Sequence, residues 1–203
     1  MTTTPTMSSH QTPDVVTCWT RQVPQVVEEI ERTGRYVVRE EYVRAKNDTI
    51  SDYYLGLYRW YTHGCRRLVD IPADADLPIW LALTPSGRLG MVEGTVSLTL
   101  AVPRDHLFVL DYDKWGYRVN DWYVPLDEAD EQRHNEELAR VGVTNESLLF
   151  TSDKGNFYPA LKRKIEASWQ RVFSSANEDM EKNVGTIWEI RKEWVIDVER
   201  WHG

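Results

Sequence analysis

Thr95-Val96-Ser97-Leu98-Thr99-Leu100-Ala101-Val102 alternates without a fault. Val96, Leu98, Leu100 and Val102 take one side of an extended chain; Thr95, Ser97, Thr99 and Ala101 take the other. Strand side chains alternate with a period of two, so this is a strand with one face in a core and one face half-wet. A parallel sheet sandwiched by helices would need near-continuous apolar runs, so the pattern favours antiparallel pairing.

Working outward, 15–20, 36–38, 79–83, 107–110, 186–190 and 195–198 read as further short strands. Helical signals fall between them. Pro24 opens a helix at the position where its missing N–H costs nothing. Val26, Val27 and Ile30 give that helix an apolar stripe, and Gly34 ends it as a left-handed C′ residue. Ser51 is expected to cap a helix through Gly64, with Tyr54, Tyr58 and Tyr61 on one face and Trp60 off it. Asp113 is expected to cap a short helix to Asn120. A charged helix over 127–140 stops at Gly142, and a helix from Pro159 to Phe173 carries Leu161, Ile165, Ser168 or Trp169, and Val172. The residues 72–78 read as a loop and Pro85-Ser86-Gly87 as a turn. Interleaved helices and short alternating strands predict a single α+β domain over 14–203, with a mixed or split, mostly antiparallel sheet and helices packed on it. Residues 1–13, nearly all Thr, Ser and Pro, read as a disordered tail.

The 203 residues suffice for one core and are too few for two comfortable ones. Nine Trp and ten Tyr against four Phe is an unusual ratio. Both carry a donor that wants a partner, so they favour core margins, clefts and interfaces. This points to a ligand groove, or else to a core filled in this manner. A net charge of −8 argues against a duplex nucleic-acid partner and against anionic membrane surfaces. Cys18 and Cys65 are far apart without a CxxC; one disulfide is formally possible, though a buried thiol is the default for Cys18. With no signal-peptide pattern and no apolar run of membrane-spanning length, the expectation is a cytoplasmic protein without a membrane partner.

No P-loop, dinucleotide fingerprint, GxSxG, HExxH or paired CxxC is present. The five histidines are scattered, and no metal-ligand set is expected.

Five stretches stand out: Trp19-Thr20-Arg21-Gln22 with Gly34-Arg35-Tyr36; Leu77-Pro78-Ile79-Trp80; Leu110-Asp111-Tyr112-Asp113-Lys114-Trp115 running on to Val119-Asn120-Asp121-Trp122-Tyr123-Val124-Pro125; Ser168-Trp169-Gln170-Arg171-Val172-Phe173; and Thr186-Ile187-Trp188-Glu189-Ile190. In order and spacing they resemble the bacterial family called domain of unknown function 3841. Val184-Gly185 departs from the Gln that members often place before the last motif. The family name supplies no activity.

The layout is also similar to ADP-ribosyltransferase-like domains, which implies NAD as substrate and a strand glutamate facing the charge that develops as nicotinamide leaves. On that resemblance Glu189 is the catalytic residue, Thr20 and Gln22 hold the ribose or amide, and Tyr54 or Tyr58 stacks on nicotinamide. Arg21, the nearest match to the usual first-position His or Arg, would face away from Thr20 and Gln22 in a strand. The reading requires the first and last strands to be neighbours. The alternative is a non-catalytic module that binds a small nucleotide, RNA or a protein partner, with Glu189 a plain strand residue.

Three weaker candidates stand beside these. Asp111 and Asp113 could share one strand face as metal ligands or general base, or serve as caps. Arg59, Arg66 and Arg67, interleaved with Tyr58, Trp60 and Tyr61, suit a stacked base and a phosphate, or an amphipathic rim. Lys162-Arg163-Lys164 is a phosphate site or a solvated helix start.

Overall fold

The computed structural model describes residues 14–201; the expected tail over 1–13 lies outside them. In chain order the elements are β1 (Val15–Gln22), α1 (Pro24–Thr33), β2 (Arg35–Tyr36), α2 (Glu40–Asn47), α3 (Ser51–Cys65), β3 (Ile79–Ala82), β4 (Val96–Pro103), β5 (Phe108–Asp111) and α4 (Tyr112–Val119). They continue with α5 (Glu128–Val141), α6 (Leu148–Thr151), α7 (Pro159–Ser168), β6 (Asn183–Ile187), β7 (Ile190–Arg191) and β8 (Val195–Arg200). Six strands form one sheet in the order β5-β6-β3-β1-β4-β8, while β2 and β7 form a separate two-stranded ribbon. Every pairing is antiparallel. This is the α+β domain that the alternation predicts.

β4, as long as β1, lies between β1 and the edge strand β8. Its odd-even pattern sends Val96, Leu98, Leu100 and Val102 into a core under α1, where they meet Val26, Val27 and Ile30. Gly34 takes φ 82° and donates its N–H to Ile30 O, which stops α1. The other sheet face carries Trp80, Phe108 and Thr186 and is covered by α3, α4 and the turn 169–173. Tyr61, with no exposure at all, sits at its centre, stacked against Trp80 and Trp188 and bonded to Thr186 Oγ1 at 2.8 Å. The surplus of Trp and Tyr is therefore largely core, with the polar ends satisfied inside: Trp188 Nε1 donates to Thr62 Oγ1 at 2.7 Å and Trp169 Nε1 to Trp122 O at 2.9 Å.

Several local expectations change. α2 has no sequence signal beyond Val43, its one buried residue, because a short helix tied by surface ion pairs shows almost no apolar period. Ser51 is the first helical residue and not the cap, since a 3-10 turn over Asp48–Ile50 runs straight into α3. Asp111, not Asp113, caps α4: its Oδ1 accepts the Asp113 N–H at 3.0 Å. Asp113 thus lies inside the helix, and the two carboxylates share no strand face. The strand expected over 186–190 is two strands broken at Trp188-Glu189. The helix from Pro159 tightens to 3-10 geometry at Trp169. Cys18 and Cys65 are both free and buried.

Candidate functional site

The break after β6 makes the site. β6 leaves the main sheet at Ile187, and β7 resumes in the ribbon, where Arg35 and Arg191 are cross-strand partners. Glu189 lies between the two strands, 3% exposed. A carboxylate buried without a partner would lose several kcal/mol of hydration, so its surroundings must supply cations. Arg191 sits two residues on, hence on the same side of β7, and sends Nε and Nη2 to Glu189 Oε1, each at 2.7 Å. Arg35 brings Nε to within 2.7 Å of Oε2. The remaining Arg35 nitrogens hold Asp74 as a two-pronged pair at 2.9 and 3.2 Å, and this pairing with Asp74 is the main reason the Arg35 guanidinium is held still more firmly in its charged form.

These groups floor an open cleft of about 470 Å³ lined by Arg35, Asp70, Ile71, Pro72, His106, Glu189 and Arg191. Its far wall is the 70–76 loop. That loop is fixed by Arg66, whose guanidinium donates to the carbonyls of Ile71, Pro72 and Ala75 and pairs with Asp76 at 3.0 Å. His106 Nδ1 lies 3.2 Å from Asp70 O, and its ring packs on Trp194 at 5.1 Å. The Arg191 guanidinium covers the same indole at 5.2 Å. Asp70, Asp105 and His106 bring one ligand atom each to within 4.8 Å of one another, the spacing a metal ion uses.

Glu189 lines this cleft in company other than the Thr20, Gln22, Tyr54 and Tyr58 expected around it. β3 lies between β1 and β6, the strand that leads into Glu189, and β4 lies between β1 and the final strand β8, so the first strand neighbours neither. Pairing of β6 with both β3 and β5 leaves β1 no free edge on that side. Thr20 and Gln22 stand opposite Leu98 and Val96 on the α1 face, and Gln22 Nε2 donates to Thr20 Oγ1 at 2.8 Å. Tyr54 and Tyr58 belong to the aromatic cluster on the opposite face, where Tyr58 stacks with Trp115 at 6.3 Å and meets Trp80. None of these four lines the cleft.

The other candidates fall into structural roles. Arg59 pairs with Glu40 of α2, Arg66 anchors the loop, and Arg67 reaches Gln170 at 3.5 Å. Lys162 lies over the Phe150 ring, and Lys164 pairs with Glu137 at 2.6 Å. The residues that reading the sequence missed are Arg35, Arg191, Asp70 and His106. Arg191 left a signal, because an arginine two positions from a strand glutamate shares its face. Asp70 and His106 left none, since loops far apart in sequence bring them together.

The family model described as Domain of unknown function (DUF3841) matches residues 17–196, and the chain belongs to that family. The match takes in every cleft residue. No curated protein and no solved structure matches the chain. Among the described residues, no helix is long and apolar enough to cross a membrane.

Proposed function

We propose that this domain of unknown function 3841 is a binding module that holds a nucleotide-class ligand by its phosphates in the Glu189 cleft and leaves it chemically unchanged. One observation carries the reading: both Glu189 oxygens face guanidinium nitrogens at 2.7 Å. A carboxylate that stabilises a developing oxocarbenium must meet the ribose with its charge uncommitted. Here two cations already occupy it. Its role is to orient Arg191, whose Nη1 has no partner among the described residues and whose planar fork suits phosphate. A nucleotide brings its own divalent cation, and exposed Asp70 and Asp105 supply oxygen ligands for one on the same side.

The second reading, an NAD-consuming transferase or glycohydrolase with Glu189 catalytic, is supported by the burial of a carboxylate in a cleft wall. It requires Glu189 to exchange an arginine for the ribose, and Thr20, Gln22, Tyr54 and Tyr58 to act from outside the cleft lining.

One experiment separates them: calorimetric titration with NAD and ADP-ribose in magnesium buffer, with nicotinamide release assayed in parallel. The module reading expects binding of both, no release, and about tenfold or greater weakening in Arg191→Met, the loss of one charge-assisted contact. Release by the wild type that disappears in Glu189→Gln would instead make this an enzyme. Failure of ADP-ribose to bind would sink the module reading, and failure of NAD would sink both.

A further inference from the structure

A second cavity, of about 300 Å³, opens at the other end of β6. Val184 in its wall and Glu189 are five residues apart, about 17 Å of strand at ~3.3 Å per residue, so the two sites are separate. Asp111 and Asn183 form the last rung between β5 and β6. Beyond it Tyr112-Asp113 turns into α4 while Lys182-Glu181 runs back through a 3-10 turn, and the hollow lies between them and Thr84.

Three segments that form the walls are locked by polar side chains. Buried Asp111 caps α4 and accepts Asn177 Nδ2 at 3.2 Å. Buried Asn183 donates to the carbonyls of Asn177 and Asp179 at 2.8 and 3.1 Å. Glu181 accepts from Ser86 Oγ at 2.7 Å and Thr84 Oγ1 at 3.1 Å, which ties the 84–87 turn across the opening. A fixed wall whose own polar groups are satisfied is the condition for a preformed small-molecule site.

The charges that line the hollow are the exception. Asp113 gives only its backbone N–H, to Asp111; its carboxylate and the Lys182 ammonium have no hydrogen-bond or ion-pair partner among the described residues, although both line the cavity. Opposite charges on one small cavity that do not pair with each other leave room for a molecule that meets both. We propose that this cavity binds a small zwitterion, its ammonium on Asp113, its acid group on Lys182, and its carbon frame against Ala82, Leu83 and Val184.

The test is ligand-observed saturation-transfer NMR on the full chain. One arm uses an equimolar mixture of L-amino acids, for a carboxylate acid group, and the other O-phosphoethanolamine, for a phosphate. Putrescine, a diamine without an acid, is the control. Transfer to a zwitterion in either arm, weak or absent transfer to putrescine, and affinity about tenfold weaker in both Asp113→Asn and Lys182→Met is the expected result. Both substitutions lie at exposed positions, and circular dichroism verifies that the fold is kept. No transfer in either arm, equal transfer to putrescine, or unchanged binding in the two cavity variants would overturn the proposal.

Discussion

Glu189 and Arg191, two residues apart across the start of β7, are joined by a two-pronged contact in which Nε and Nη2 both reach Oε1 at 2.7 Å. With Arg35 on the other oxygen, this glutamate is a structural anchor before it is anything else. Glu189→Gln should therefore destabilise the fold. Removing one partner of a buried ion pair costs up to 3–5 kcal/mol, and the partial exposure of both arginines brings the expectation to about 2 kcal/mol. Urea unfolding at neutral pH measures it; a midpoint shift within error would refute the anchoring role.

Arg118 is buried between two indoles. Its guanidinium carbon lies 3.9 Å from the Trp169 ring centre and 4.8 Å from that of Trp60, and Nη1 pairs with Asp121 at 2.8 Å. Lysine keeps the charge but cannot stack on both faces, so Arg118→Lys should lose about 2 kcal/mol. Thermal unfolding of the two proteins side by side checks this. A lysine variant as stable as the wild type would show that charge alone matters there.

Asp130 has its carboxyl pulled down to about 2, first by the Leu126 N–H and then by the Tyr123 hydroxyl and the Arg171 guanidinium. A folded value below the unfolded one, about 3.9, means that the stabilisation is complete above roughly pH 4 and drains away as pH falls towards 2. Asp130→Asn should be less stable at neutral pH and show a shallower loss of stability through that acid window, in denaturant titrations run at stepped pH. Parallel curves for wild type and variant would rule out the linkage.

Burial pushes the thiols of Cys18 and Cys65 up to about 12. Since the thiolate is the reactive form, neither should react with a disulfide reagent at pH 8 while the protein is folded. Two thiols should appear on unfolding in urea. Prompt labelling of the native protein would mean that one of these cores opens readily.

What could be read along the chain was whatever local repetition encodes. The alternation from Thr95 to Val102 specified an antiparallel strand and one buried face. Pro24 with Gly34 bounded α1, and Gly142, at φ 69°, ended α5. α2 stayed hidden, because its helix is held by Arg44–Glu40 and Arg59–Glu40 pairs that leave no apolar rhythm.

The site divided along the same line. Pattern alone indicated an α+β domain; it left open whether Trp and Tyr fill a core or line a groove, and it put Glu189 within a strand that the fold breaks there. Strand order lay beyond pattern: β3 inserts between β1 and β6, which separates Thr20 and Gln22 from Glu189 and puts Tyr54 and Tyr58 across the sheet. Only the folded chain decided that Arg35, from 154 positions earlier, would meet Glu189. Side-chain periodicity is a property of neighbours in sequence, whereas the pairing of a buried charge is set by whichever distant segment can lower its electrostatic energy once water has gone.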